Sequence, residues 1–208
     1  MDHAQFWDRV ADKYARDKIA DPEAYEYTLG RTASYLRPGD HVIEFGAGTA
    51  STALRLALGV ERYTATDISA EMVRIGREKL AQDPVPGLDI EVGSFATMRG
   101  GSYDAVLAFN LFHLSPDIPG ALADARAMLR PGGHFISKTP CLGDHPGWLK
   151  RNGIRAAIPV MQMFGKAPRP VTLLTIADLE RMVIRAGFEI VETGNYPASA
   201  PSRYIVAR

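Results

Sequence analysis

Cysteine is almost absent from this sequence: among 208 residues there is only Cys141. A lone thiol cannot form an internal disulfide, which fits a reducing, cytosolic setting. Excess charge of either sign is absent too. Lys and Arg number 24, as do Asp and Glu, so nothing global draws the chain to nucleic acid or another polyanion. No apolar run reaches the roughly 18 residues that suggest a transmembrane helix. The opening stretch, MDHAQFWDRVADKYARDK, is charged and amphipathic. It lacks the apolar core and small-residue cleavage site of a secretory signal. The five histidines are scattered, without the spacing of a metal-ligand set, so no metal is expected. Internal repeats and low-complexity tracts are missing as well.

What is present is an alternation of apolar runs and helical patterns, the signature of an α/β domain. Two helices are expected first, over Gln5–Arg16 and Pro22–Leu36, the second capped by Asp21 with Pro22 in its first turn. HVIEF, YTATD, LDIEV, YDAVLAF and HFISKT read as five strands. TASTALRLAL, the stretch after Ser69 and Ile118–Leu129 read as helices between them. YDAVLAF is apolar without alternation, as in a strand covered on both faces. A long insert, Pro140 to about Thr172, is rich in Gly and Pro. Thr175 and Asp178 then open a last helix with a capping-box-like pair. FEIVET and SRYIVAR close the chain as two strands joined by a short loop, which implies an antiparallel pair. The expected fold is therefore a mostly parallel sheet with one antiparallel strand near an edge.

The informative stretch is HVIEFGAGTAS, His41 to Ser51. A strand running into glycines and then a helix bares backbone N–H groups at the carboxyl edge of the sheet. Two ligand classes use such a turn: dinucleotides, and S-adenosylmethionine with its ammonium, carboxylate and sulfonium. Glu44 would repel a pyrophosphate but attract an ammonium or sulfonium. The dinucleotide spacing G-x-G-x-x-G is not met, because Ser51 stands at the third glycine position. Asp67 ends the second strand and can accept from two ribose hydroxyls, which suits either ligand.

VIEFGAGTA, TATDISAEMV, IEVGSFATM, YDAVLAFNLFHL and LRPGGHFISKT, in this order, together resemble the class I S-adenosylmethionine-dependent methyltransferases. The similarity is strongest to the small-molecule branch that includes ubiquinone and menaquinone C-methyltransferases, and it covers nearly the whole chain. It implies a Rossmann-like three-layer α/β/α sandwich with a seven-stranded, mostly parallel sheet. One methyltransferase domain would fill residues 1–208, with helices 1–37 closing over the cofactor and a lid at 140–174. By the same resemblance, Glu44, Gly46, Ala47 and Gly48 surround the methionine part of the cofactor. Asp67 holds the ribose, Ile68 and Met72 pack near the adenine, and Ser94 and Phe95 flank its edge. Asn110 and Leu111 present backbone to the methionine part, and Tyr14 closes over the cofactor.

Two positions depart from the family pattern. Ala50 stands where a third glycine is usual, at small cost if the backbone there is already helical. Ser94 stands where an aspartate commonly accepts from the adenine amino group, so that bond is weaker. His113, just after the fourth strand, has two readings: a base for the acceptor's proton, or a histidine packed at the cofactor rim. From His145 to Ala177 the insert has no acid, while Lys150, Arg151, Arg155, Lys166 and Arg169 are basic. Ile154, Ala157, Ile158, Met161 and Phe164 recur at helical spacing. This segment is either an amphipathic lid or a basic, apolar surface that meets a membrane or lipid-like acceptor. Trp148, Met161, Met163 and Phe164 are the candidate acceptor-binding residues. The expected activity is methyl transfer to a small, apolar or lipid-like acceptor, with no nucleic acid as partner. A nicotinamide-dependent oxidoreductase and a non-catalytic cofactor-binding protein remain as alternatives.

Overall fold

The computed structural model describes residues 3–144, 147–199 and 201–208. The chain opens with α1 (His3–Arg16) and α2 (Pro22–Ala33), then alternates strands and helices: β1 (His41–Phe45), α3 (Ala53–Leu56), β2 (Arg62–Asp67), α4 (Ala70–Gln82), β3 (Leu88–Val92), β4 (Tyr103–Phe109), α5 (Ile118–Met128) and β5 (Leu129–Pro140). It ends with α6 (Trp148–Met163), α7 (Ile176–Arg185), β6 (Ile190–Asn195) and β7 (Ser202–Ala207). The sheet has seven strands in the order β3-β2-β1-β4-β5-β7-β6. β7 runs antiparallel to both β5 and β6, and the other pairs are parallel. That is the mostly parallel sheet with one reversed strand that the short final loop implied.

Strand periodicity explains the two-sided core. Neighbouring residues point to opposite faces, so Ile43, Val106 and Phe135 build one buried cluster while Val42, Leu107 and Ile136 build the other. In β4 the run Ala105–Ala108 is buried throughout, as expected of a strand covered by helices on both sides. The helix starts follow local chemistry. Asp21 accepts from the Ala24 N–H at 2.9 Å, Asp117 from the Gly120 N–H at 2.9 Å, and the Thr175 hydroxyl from the Asp178 N–H at 3.0 Å. Asp104, at the far end of β4, accepts from the His41 N–H at 2.8 Å and pairs with Arg130, a structural role.

Several boundaries differ from the sequence reading, and α2 ends at Ala33 rather than Leu36. The helix expected over TASTALRLAL shrinks to the four residues of α3, followed by a 3-10 turn. Ala50 delays its start: its φ is +58°, left-handed backbone that no right-handed helix can include. β5 begins at Leu129 rather than His134, because the pairing with β4 resumes after an irregularity that accommodates the Arg130–Gly133 turn. Among the described residues no helix is long and apolar enough to cross a membrane, and no His/Cys/Asp/Glu group could hold a metal.

Candidate functional site

The carboxyl ends of β1, β2 and β4 open onto one cavity. β1 delivers Phe45 and then a turn in which Gly46 (φ +68°) and Gly48 (φ +55°) both adopt left-handed backbone, open to glycine at no steric cost. A Cβ on Gly46 would lie 2.9 Å from Leu111 Cδ1. The turn is pinned to β2: the Ala47 N–H donates to Thr66 O at 2.9 Å, and the Gly48 N–H to Asp67 Oδ2 at 2.9 Å. The other carboxylate oxygen of Asp67 accepts from the Ser69 N–H, also at 2.9 Å. Burial raises the Asp67 pKa, and the Ser69 and Gly48 N–H groups oppose that rise. A carboxylate has about four lone-pair sites, so both oxygens keep acceptor capacity toward the cavity that Asp67 lines.

Ten of the twelve residues assigned to the cofactor by resemblance line this cavity: Tyr14, Gly46, Gly48, Asp67, Ile68, Met72, Ser94, Phe95, Asn110 and Leu111. Asn110 also sits in left-handed backbone (φ +55°), which Asn tolerates better than most residues. Its N–H donates to Lys138 O at 2.7 Å. Phe95 stacks on Phe45 with centroids 3.9 Å apart. The Ser94 N–H donates to the Thr97 hydroxyl at 2.9 Å, and the two hydroxyls lie 3.3 Å apart, so Ser94 caps a turn of its own as well as facing the cavity.

Glu44 and Ala47 do not line the cavity. Glu44 is buried, at 2% exposure, and its Oε2 accepts from the Tyr63 hydroxyl at 2.7 Å. Burial pushes its pKa up to about 7, the Tyr63 hydrogen bond opposing and the nearby Asp67 adding to the rise. Burial, Asp67 and Glu44 together raise the pKa of Tyr14 in the cavity wall, so the Glu44 charge reaches the cavity without lining it.

The wall opposite the turn is α1. His3 and Trp7 line the cavity with Tyr14, and the Trp7 and Tyr14 rings meet edge to face at 6.2 Å. Their positions differ by 4 and 11 residues from His3, one helical face, so Tyr14 carried the signal for both neighbours. α1 is held by Asp8. Its Oδ1 accepts from the Ser69 hydroxyl at 2.7 Å and from the Glu71 N–H at 3.2 Å, a negative charge at the start of α4. Asp8→Asn is expected to loosen this wall and weaken cofactor binding about five-fold, on the order of 1 kcal/mol, with dissociation in stopped flow faster by a similar factor. The remaining lining residues, Gly93, Phe109 and Leu114 to Pro116, border predicted ones. No motif singles them out.

Three expectations are corrected. Ala50 is not helical; its methyl is accommodated because α4 offers Gly76 there, where a Cβ would come within 3.1 Å of Ala50 Cβ. His113 does not line the cavity, although Leu111 and Leu114 on either side of it do. Its Nδ1 is buried without a partner and burial lowers its pKa to about 4, which makes it a weak base near neutral pH. Met161, Met163 and Phe164 are 42%, 68% and 66% exposed and are not brought to the cavity. Met163 and Phe164 border a separate groove with Phe6 and Arg9 of α1. The Trp148 side chain lies outside the described residues.

Gly46→Ala follows from the cradle geometry. The new methyl would strain a left-handed residue by about 1–2 kcal/mol and drive Leu111 into the cavity. Ligand binding is expected to fall below detection in a variant that still unfolds cooperatively by circular dichroism.

Comparison with known proteins agrees with this geometry. Residues 42–133 match the family model described as a methyltransferase domain. Of the curated relatives, the highly reducing polyketide synthase easB of Emericella nidulans is 34% identical over 126 residues, 54% of this chain and 5% of its own length. The chain spans 4–6% of the length of the curated relatives it matches. Of solved structures, the CcbJ methyltransferase from Streptomyces caelestis superposes with a TM-score of 0.75 at 25% identity, covering 100% of this chain and 99% of that one. Magnesium protoporphyrin IX methyltransferase from Synechocystis PCC 6803, solved with bound S-adenosylmethionine, gives 0.71 at 18% identity, covering 100% and 97%.

Proposed function

We propose that this chain, whose residues 42–133 match a methyltransferase-domain model, binds S-adenosylmethionine and transfers its methyl group to a small, largely apolar acceptor. The observation that carries this reading is the glycine turn itself: two left-handed glycines pinned to Asp67, above a buried Glu44. The residues present fit the cofactor. The absence of a Cβ on Gly46 lets Leu111 close on the glycine turn, and both line the cavity where the methionine part would lie. Asp67 keeps acceptor capacity for two ribose hydroxyls. Ile68, Met72 and Phe95 give the adenine an apolar slot. When bound, S-adenosylmethionine supplies an electrophilic methyl on a sulfonium.

The protein's own work is then positioning and exclusion of water. Leu111 and the Asn110 backbone fix the methionine end. Trp7 and Tyr14 cover it from α1. Glu44 favours the ammonium and sulfonium through its field. A pyrophosphate over the same turn would meet that field as repulsion, which disfavours the oxidoreductase alternative. No proton-transfer role is assigned to His113, so acceptors whose nucleophilic atom is already unprotonated are preferred. Glycine cradle, buried acid and the apolar walls Phe109, Leu114 and Trp7 together point to acceptors that leave water readily.

The test is transfer of label from methyl-labelled S-adenosylmethionine into the metabolite pool of a cell lysate. Label in the organic-extractable small-molecule fraction, absent with Gly46→Ala, is the expected result. Label confined to protein or nucleic acid would refute the acceptor class, and no transfer to any fraction would refute turnover.

A further inference from the structure

Helix α6 carries apolar residues on two opposite sides. On one side Ile154 and Ile158 are half-buried. Leu149, Gly153, Val160 and Met163 recur at the spacing of the other face. There exposure is 77% at Leu149, 52% at Val160 and 68% at Met163, and Phe164 continues the stripe at 66%. A Cβ added to Gly153 would meet nothing within 4 Å. The stripe runs about 21 Å along the helix. Single exposed apolar side chains are ordinary, but a contiguous stripe marks a surface that something covers. It is also a different face from the one the Ile154–Ile158 spacing picks out in the sequence.

Charge indicates what covers it. Residues 147–177 contain no Asp or Glu, and Lys166 and Arg169 are exposed just beyond the C-terminal end of the stripe. A second copy of the chain would bring two acid-free segments together, which their charge opposes. The stripe is largely exposed along the helix, and a bilayer interface accepts an amphipathic helix without a shaped receptor. We propose that α6 and the 164–169 segment lie in the interface of an anionic phospholipid bilayer. The stripe enters the headgroup boundary, with Lys166 and Arg169 at the phosphates.

The ridge is one helix away from the cavity. Arg9 of α1 donates to Gly165 O, and Phe6 and Arg9 border the groove formed with Met163 and Phe164. The other face of α1 carries Trp7 and Tyr14 into the cavity wall. An acceptor partitioned into lipid would reach the protein at this side.

Sedimentation with phosphatidylcholine vesicles, with and without phosphatidylglycerol, tests the proposal. It uses no acceptor, so it stands apart from methyl transfer. Partition onto the phosphatidylglycerol vesicles is expected to be about ten-fold higher, to weaken with salt, and to be lost in Met163→Asp with Phe164→Asp. Both side chains are largely exposed, and a thermal melt matching the parent shows that the variant folds. Lys166→Glu with Arg169→Glu should lower partition without changing the melt. Equal partition onto both vesicle types, or full binding by the Met163/Phe164 variant, would overturn it. So would stable association with an acidic protein in the absence of any vesicle binding, which would assign the ridge to a protein partner.

Discussion

Glu44→Gln is expected to make the ligand-free protein more stable and its cofactor complex weaker. Glu44 is buried and its pKa stands at about 7, well above the usual carboxylate range. A folded state that holds its proton more tightly than the unfolded chain loses stability as pH rises between the two pKa values. For Glu44 that window runs from about pH 4.5 to 7. Across it the wild type should lose on the order of 3 kcal/mol, at about 1.4 kcal/mol per pH unit. Glutamine keeps an oxygen for the Tyr63 hydroxyl and never ionises, so its profile should be flat there and the variant the more stable protein at pH 8. Denaturant unfolding at pH 4.5 and pH 8 reads both slopes. A wild type equally stable at both would show that Glu44 ionises without strain.

Binding should move the other way. A bound ammonium or sulfonium lowers the Glu44 pKa, so S-adenosylmethionine affinity should rise with pH through the same window and level off above it. Glutamine removes that dependence, and with it at least about ten-fold of the affinity at pH 8, or roughly 1.4 kcal/mol of binding free energy. Opposite signs for stability and binding separate this role from that of a merely structural acid.

Asp67→Asn should have the larger effect on binding. Both oxygens of Asp67 accept from backbone N–H groups, those of Gly48 and Ser69. An amide has a single acceptor oxygen, so its NH2 would face one of those donors. The glycine turn would then lose an anchor as the ribose loses its partner. Two hydrogen bonds to a charged group, at about 1.5–3 kcal/mol each, correspond to a loss of roughly 10²–10⁴ in affinity. Stability should fall less, because the Ser69 hydroxyl still accepts from the Met72 N–H at 3.1 Å and caps α4.

The sheet was legible because its signals are local. Strand runs, Asp21, Ser69 and Thr175 caps and the short final loop each follow from neighbouring residues. So was the floor of the site, since Gly46, Gly48 and Asp67 lie at strand ends whose order fixes where they meet. The helical pattern made Ala50 look helical; its left-handed backbone packs its methyl against Gly76 of α4, a contact between distant segments. Trp7 and His3 were hidden for a similar reason: an amphipathic helix shows which residues share a face but not what that face covers. Met161, Met163 and Phe164 fall outside the cavity, for α6 is apolar on two sides and helical spacing alone does not tell which side meets the protein.

The most direct measurement is calorimetric titration of S-adenosylmethionine, S-adenosylhomocysteine and a nicotinamide dinucleotide into the wild type and Asp67→Asn. The account predicts saturable one-to-one binding of the first two to the wild type, its loss in the variant, and no heat from the dinucleotide. Dinucleotide binding, or S-adenosylmethionine binding that survives in Asp67→Asn, would contradict it.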